Sequence, residues 1–293
     1  MSWRCCRPRQ SFSALKRRFI QCDVFADTAT RGNGLAVVVD GDGLSDAQMQ
    51  AFAAWTNLAE TTFLFPTDDP KADYSVRIFT PGREMPFAGH PTLGSCAAWL
   101  ASGGTPKHPG RVMQECGVGL VEIDISGEVP AFVAPPTAIE PLPDAKRQRL
   151  IEGLGLSPEQ VLGSARLNNG PVWNLFELRS SAEVLNIDAS RVTWPDHAGA
   201  SVVGAYPDGA ECAFEVRMLA PSSGMSEDPV TGSLNSAIAC WLAGQGRLPG
   251  PITISQGTRL GRQGRVFITP TRQPDRIMIG GHTTLVIQGS VDI

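Results

Sequence analysis

The hexapeptide VRIFTP at residues 76–81 returns as VRMLAP at residues 216–221, an offset of 140 residues. Both hexapeptides begin with the alternation of apolar and polar residues that is typical of a half-buried strand. Similar blocks follow in each half, with a connecting loop two residues shorter in the second: HPTLGS at 90–95 with DPVTGS at 228–233, and WLA at 99–101 with WLA at 241–243. Each half therefore predicts a strand, a glycine-containing loop and a helix.

Two copies of such a unit are too few for a solenoid and indicate a duplicated domain with pseudo-twofold symmetry. The alternative is that the halves share only a common strand-to-helix turn. Turn residues are frequent, with 31 glycines and 23 prolines among 293 residues, which favours many short strands over long helices.

The order of predicted elements divides the chain into an N-terminal domain at residues 19–134 and a C-terminal domain at residues 135–283, the latter opening with a proline-rich linker. A last strand near residues 284–293 is placed to return to the N-terminal domain. Residues 1–18 carry six Arg or Lys residues and no acidic residue. We expect this basic leader to be disordered, with an organelle presequence as the alternative.

Composition excludes several classes of protein. A net charge of −4 offers no general attraction to nucleic acid or to an anionic membrane surface. The longest aliphatic run, residues 35–39, is far too short for a membrane helix, so we expect a soluble protein with no membrane partner. Seven scattered cysteines without a Cys-x-x-Cys pair indicate reduced thiols in a cytoplasmic protein, and the four histidines show no metal-ligand spacing, so we predict no metal.

The paired loops are the candidate site. A glycine before a helix N-terminus leaves backbone N–H groups free to hold a carboxylate or phosphate, and the loops at Gly89 and Gly232 both have this form. His90 is suited to acid/base chemistry or to a structural hydrogen bond at the helix entry. Glu60 lies where a helix gives way to an apolar strand, so it is either a partly desolvated base or a solvent-facing glutamate. Ser233 is either a site residue or a helix cap.

These residues carry a resemblance to a known family. The blocks GNGLAVV at 32–38, NLAETTF at 57–63, FAGHPTLG at 87–94, EDPVTGS at 227–233 and QG at 256–257 resemble the PhzF-like family of phenazine-biosynthesis isomerases. That likeness implies a diaminopimelate epimerase-like α+β fold of two similar domains, each a curved antiparallel β-sheet wrapped around a central helix. Where the family often continues Gly-Ser-Ala-His, this chain reads Gly232-Ser233-Leu234-Asn235.

The resemblance also implies a site between the domains. Glu60 corresponds to the family's acid/base, His90 and Asp228 to catalytic polar residues that contact the substrate, and Ser233 to a binding residue. Gly89 and Gly232 would supply N–H groups to the substrate carboxylate. We expect no cofactor, a small carboxylate-bearing substrate and a homodimer.

One carboxylic acid suffices when a proton leaves one carbon and returns to another on the same face, whereas a racemase needs two opposed groups. The related epimerases and racemases use paired cysteines, which are absent from both loops here; Cys96 and Cys116 read as packing residues. We therefore predict a cofactor-independent isomerase that uses Glu60 as its single acid/base. The alternatives are a non-catalytic protein that binds a small anion, and a thiol-free epimerase with Glu60 and Asp228 as opposed groups.

Overall fold

The computed structural model describes residues 15–192, 199–219, 226–273 and 276–293. The first half of the chain contains the following elements: β1 Lys16–Val24, β2 Asn33–Val38, α1 Asp46–Thr56, β3 Glu60–Phe65, β4 Tyr74–Phe79, β5 Glu84–Met85, α2 Gly89–Ala101, β6 Arg111–Cys116, β7 Gly119–Asp124 and β8 Ala131–Val133.

The second half contains β9 Ala138–Glu140, α3 Asp144–Gly153, β10 Val161–Asn168, β11 Val172–Leu178, α4 Ser181–Asn186, β12 Ala200–Ala205, β13 Phe214–Leu219, α5 Gly232–Gly244, β14 Ile252–Gln256, β15 Gly264–Pro270, β16 Ile277–Gly280 and β17 Thr283–Asp292. Within the described residues, single-turn 3₁₀ helices lie at Pro158–Gln160, Ala189–Arg191 and Thr258–Leu260.

The two halves repeat the same order of elements. Strands β3 and β4 return 140 residues later as β12 and β13, with the same length of six residues. Helices α2 and α5 both have 13 residues but begin 143 residues apart. The segment between strand and helix is therefore three residues longer in the second half, and the predicted shorter loop is wrong.

This offset corrects the predicted alignment of the two loops. The first helical residues, Gly89 and Gly232, are the structural counterparts, so His90 corresponds to Ser233 and not to Asp228. Gly94, which the sequence comparison set against Gly232, lies inside α2, where an added Cβ would come within 2.5 Å of Cδ2 of Leu35. Its small size serves helix-to-sheet packing rather than a loop.

The strands form one continuous sheet that passes through both halves. In the first half the neighbours run β17-β1-β2-β3-β4-β6-β7-β8, and β8 pairs with β16, from which the sheet continues β15-β14-β13-β12-β11-β10-β9. Four strand pairs in the described part of the chain are parallel: β2 with β3, β4 with β6, β11 with β12 and β13 with β14. Helices α1, α2, α4 and α5 make these four crossovers, as parallel neighbours require. The α+β class is confirmed, and the sheet is mixed rather than purely antiparallel.

Helices α2 and α5 lie at the centre of the two halves. Each is apolar or small on nearly every face and buries most of its residues, as expected for a helix that a sheet surrounds. Leu93 of α2 and Leu234 of α5 belong to one hydrophobic cluster, which extends through both halves without a break. The cluster therefore fixes the two helices relative to each other.

The structure corrects the boundary of the basic leader. Regular structure begins at Lys16 and not at residue 19, because β1 pairs with β17 from Lys16 onward and with β2 from Phe19 onward. Arg17 is buried and donates to the carbonyls of Asp40 and Asp42, while Arg18 binds the Asp40 carboxylate at 2.6 Å. Residues 1–14, to which the predicted disorder mainly refers, lie outside the described residues.

Among the described residues, none of the helices has the length and apolar character needed to span a membrane.

Candidate active site

The N-termini of the two central helices meet between the halves. Helix α2 begins at Gly89 and α5 at Gly232, and among the described residues no N-cap side chain caps the first turn of either helix. A Cβ built on Gly232 would lie 3.2 Å from the backbone nitrogen of His90 and 3.0 Å from Cζ of Phe25. Both helix ends therefore direct unpaired N–H groups and partial positive charge into one region, which suits an anion.

Close packing favours glycine at both positions. A Cβ on Gly89 would come within 2.5 Å of Cζ of Phe132, and one on Gly232 would press on Phe25 and on the His90 backbone. A larger residue at Gly89 would therefore displace the Phe132 ring, and one at Gly232 would press on the start of α2.

Glu60 and His90 form a close pair at this junction. Glu60 is the first residue of β3, beside Leu35 of the parallel strand β2, and its side chain is 20% exposed. His90, the second residue of α2, is 4% exposed, and its Nδ1 lies 2.9 Å from Oε2 of Glu60. The sequence named both residues, and the structure brings them into contact.

The other ring nitrogen fixes how protons are distributed over this pair. Nε2 of His90 lies 3.1 Å from the backbone oxygen of Asn33, and a carbonyl oxygen can only accept a hydrogen bond. Nε2 must therefore carry a proton, which leaves Nδ1 without one when the imidazole is neutral. The contact between Nδ1 and Oε2 then needs one more proton, held either by Glu60 as a carboxylic acid or by His90 as an imidazolium. Glu60 and His90 therefore share one proton between their side chains.

Asp228 joins the same network through Asn33. The Asn33 side-chain amide donates to Oδ1 of Asp228 at 3.1 Å and to the carbonyl of Val230 at 2.9 Å. The Thr231 hydroxyl lies 2.6 Å from Oδ2 of Asp228. Asn33 therefore links His90, through its backbone oxygen, to Asp228, through its side chain.

The environment of Asp228 changes its acidity. Burial of the carboxyl group raises the pKa of Asp228 to about 7, the nearby charge of Glu60 acts in the same direction, and the hydrogen bonds from Thr231 and Asn33 oppose both. A carboxyl group with a pKa near 7 is populated in both protonation states at neutral pH, which is the property that acid/base chemistry needs.

Gln256, at the end of β14, holds the loop around Asp228 in place. Its Nε2 donates to the Asp228 carbonyl at 3.1 Å and to the Thr231 hydroxyl at 2.9 Å. Its Oε1 accepts from the Thr231 N–H at 3.0 Å and from the Asn235 side chain at 2.7 Å. Asn235, which stands where the family often has histidine, is thus a buried structural residue that braces Gln256.

Three of these residues are not predicted as site residues from the sequence: Asn33, Thr231 and Gln256. Asn33 lies between two glycines, which reads as a turn, but in the structure it opens β2 and is buried. The signal that could have found all three is the placement of polar residues inside the blocks that carry the family resemblance.

The remaining predicted residues have clear positions. Ser233 is the second residue of α5, and its carbonyl accepts from Nδ2 of Asn169 at 2.8 Å, whereas its hydroxyl has no hydrogen-bond partner among the described residues. Cys96 is buried inside α2, and burial raises the pKa of its thiol to about 12, as fits a packing residue. Within the described parts of the chain, no three His, Cys, Asp or Glu residues are grouped as metal ligands would be.

Known proteins identify the family to which the chain belongs. A family model for PhzC-PhzF, described as phenazine biosynthesis-like protein, matches residues 22–289. The chain belongs to the PhzC-PhzF family. Antisense-enhancing sequence 1 of Schizosaccharomyces pombe is 36% identical over 291 residues, which cover 92% of this chain and 97% of that protein.

A second relative within the PhzC-PhzF family carries a reaction in its name. The trans-2,3-dihydro-3-hydroxyanthranilate isomerase of Pseudomonas fluorescens is 30% identical over 287 residues, which cover 93% of this chain and 98% of that protein. Among solved structures, a PhzF-family phenazine biosynthesis protein of Bacillus anthracis superimposes with a TM-score of 0.80 at 21% identity, over 95% of this chain and all of that one. The predicted family and fold are confirmed, and the chain is an isomerase of the PhzF type.

Proposed function

We propose that this isomerase moves a proton between two carbons of a small substrate that bears a carboxylate, with Glu60 as the single acid/base. The observation that carries the proposal is the contact between Glu60 and His90, because the Asn33 carbonyl forces that pair to hold a proton. Within the described residues, Oε1 of Glu60 has no hydrogen-bond partner and is the oxygen free to reach a substrate.

The substrate carboxylate would lie between the two helix N-termini, where the N–H groups at Gly89 and Gly232 point. Ionised Glu60 removes a proton from a carbon, and the electron pair of that C–H bond enters the conjugated system of the substrate. The same Glu60 returns the proton to a different carbon on the same face, so the double bond moves and the enzyme is regenerated. This proton transfer requires no cofactor.

His90 and Asp228 have supporting roles in this scheme. The His90 imidazolium donates to ionised Glu60 and holds its second oxygen toward the substrate. Asp228, with its pKa near 7, is suited to donate a hydrogen bond to a polar substituent of the substrate when protonated. Ser233 offers a hydroxyl beside the bound carboxylate.

The lack of symmetry between the halves favours one base over two. Strand β12, the counterpart of β3, begins with Ala200 and Ser201, so the second half has no carboxylate at the position of Glu60. Asp228 instead occupies the place of Met85, since Met218 pairs with Asp228 as Ile78 pairs with Met85.

The relative from Pseudomonas fluorescens suggests a first substrate to test. Trans-2,3-dihydro-3-hydroxyanthranilate is a cyclic acid with conjugated double bonds, on which the proposed proton shift is chemically possible. We expect the protein to incorporate solvent deuterium into this acid, and Glu60→Gln to lower the rate by about 10²-fold or more while binding is retained. Glu140→Gln, which changes an exposed carboxylate on β9, is the matched control.

Mass spectrometry of the recovered acid measures the exchange. Undiminished exchange in Glu60→Gln would exclude Glu60 as the base, and binding without exchange by the unmodified protein would support the non-catalytic alternative. The epimerase alternative is supported by the charge of Glu60, which raises the pKa of Asp228, as expected for two carboxyl groups in one site. It predicts exchange that is accompanied by loss of optical rotation.

A further inference from the structure

A groove of about 1120 Å³ lies between the two halves, and the proposed proton transfer at Glu60 assigns no role to it. One wall comes from the first half: strand β5, the turn between β6 and β7, and the end of β8. The opposite wall is the turn between β10 and β11, residues 169–171. We call this cavity the apolar groove.

The apolar groove adjoins both helix N-termini. Phe87 lines it and packs edge-on against Phe132, with 5.8 Å between the ring centroids, and Phe132 is the ring that closes on Gly89 at the start of α2. On the other wall, Asn169 donates to the carbonyl of Ser233 in the first turn of α5. A ligand held at the helix ends can therefore extend directly into the groove.

The walls of the apolar groove are apolar and rigid. Leu120 is 38% exposed there, beside the half-buried Met85 and Phe87, an arrangement typical of a surface that binds a ligand. Pro86, Pro135, Pro136 and Pro171 also line it, and proline fixes the backbone. A groove that is already ordered costs little conformational entropy when it is filled.

One cation on the rim of the groove lacks an acidic partner. Glu84 is bound by Arg77 at 2.7 Å, and Glu122 is bound by Arg276 at 3.1 Å. The Arg83 side chain forms no ion pair and no hydrogen bond with any described residue, since the contacts of Arg83 with Thr80 use only its backbone N–H and carbonyl. The rim therefore has an unpaired positive charge, which complements an anionic group.

We propose that the apolar groove binds the non-reacting end of the substrate, an apolar ring or chain that ends in an anionic group at Arg83. This inference rests on the proposed function, because it places the reacting carboxylate at the helix N-termini. The groove volume exceeds the roughly 300–1,000 Å³ of a typical small-molecule pocket, so a single-ring acid at the helix ends leaves most of it unfilled. The preferred substrate is then larger than a single-ring acid.

A matched series of rigid acids tests this assignment by calorimetric titration of the full chain. Benzoate has only the carboxylate for the helix ends, biphenyl-4-carboxylate adds an apolar ring, and biphenyl-4,4′-dicarboxylate adds a distal anion. We expect affinity to rise along the series. Leu120→Ser should weaken both biphenyl acids about tenfold and leave benzoate unchanged, whereas Arg83→Ala should weaken the dicarboxylate alone, by about twofold to fivefold.

Leu162→Ser, which alters an exposed leucine of β10 outside the groove, is the control and should change nothing. Equal affinity across the series, equal effects of Leu120→Ser on all three acids, or no binding by any of them would overturn the proposal. Deuterium exchange that depends on Glu60 is measured separately. If the three acids bind with equal affinity while the Glu60-dependent deuterium exchange is intact, only the groove proposal is refuted. If affinity rises along the series but no deuterium is exchanged, only the proposed isomerisation is refuted.

Discussion

The Thr231 hydroxyl can donate in only one direction. Gln256 already donates to its oxygen at 2.9 Å, so the hydroxyl proton must point to Oδ2 of Asp228, 2.6 Å away. A hydrogen bond to a carboxylate favours its ionised form and lowers its pKa. Gln256 thus influences the acidity of Asp228 without touching its carboxylate.

Thr231→Val removes that hydrogen bond and keeps the shape of the side chain. We expect the pKa of Asp228 to rise from about 7 by roughly one to two units, since a hydrogen bond to a charged group contributes about 1.5–3 kcal/mol. Carbon-13 NMR titration of the labelled aspartate carboxyl measures the change. Thr231→Ser retains the hydroxyl and should titrate as the unmodified protein does, and an unchanged titration in the valine variant would contradict this account.

At the scale of the helix, Gly232 and Gly244 are the first and last residues of α5, and we expect alanine to have opposite effects on stability at these two positions. Gly232→Ala places a methyl group against Phe25 and the His90 backbone, so we expect it to push the helix ends apart and to cost about 1–3 kcal/mol of stability. Gly244→Ala, at the other end, meets only Cδ1 of Ile139 at an ordinary 3.9 Å and should stabilise the protein by up to about 1 kcal/mol.

Deuterium exchange and urea denaturation separate the two glycine variants. Gly232→Ala should lose exchange activity by at least about tenfold, because the anion-binding N–H groups move, while Gly244→Ala should keep it. Equal activity in both variants would show that the close approach of the helix ends is not needed for the chemistry.

A buried ion pair connects α4 to the loop that carries Asp228. Arg217 of β13 binds Glu227 at 2.7 Å, with both side chains only 1% exposed, and also donates to the carbonyls of Val184 and Ile187. We expect Arg217→Met to cost about 3–5 kcal/mol, because it leaves the Glu227 charge buried and unpaired. Arg166→Met breaks a more exposed pair with Glu140 and should cost less than about 1 kcal/mol by urea denaturation. Similar losses in the two variants would count against this difference.

For the whole molecule, Asp228 makes stability depend on pH. Its pKa is raised from 3.8 to about 7 on folding, so between these values the folded state binds more protons than the unfolded state. The free energy of unfolding should therefore fall as pH rises from about 4 to about 7, by at most about 4 kcal/mol from this group. Above pH 7 this contribution levels off.

Asp228→Asn should remove that part of the pH dependence. Urea denaturation at intervals between pH 4.5 and pH 8 measures the slope, and we expect the variant to lose less stability across this range than the unmodified protein. Asp208→Asn, which changes an exposed carboxyl in the turn between β12 and β13, should keep the original slope. If the free energy of unfolding depends on pH in the same way in the unmodified protein and in Asp228→Asn, Asp228 is not the source of this pH dependence.

The sequence alone determined the duplicated α+β fold and the family, because short-range patterns carry both. The repeat of VRIFTP as VRMLAP marks two strands of equal length, and glycine blocks mark the two helix starts. It also named Glu60, His90 and Asp228 through the motifs that contain them. The predicted offset of the helices is wrong, because the matching Pro, Gly and Ser residues hide a difference in loop length that only packing reveals.

Tertiary structure decided what these residues touch. Glu60 and His90 are 30 residues apart, and Asn33 and Asp228 are 195 residues apart, yet each pair shares a hydrogen bond. The proton held by Glu60 and His90 depends on a backbone carbonyl of another strand, and the acidity of Asp228 depends on its burial and on the charge of Glu60. A sequence specifies local conformation and polarity, but hydrogen-bond direction and desolvation arise only when distant segments pack together.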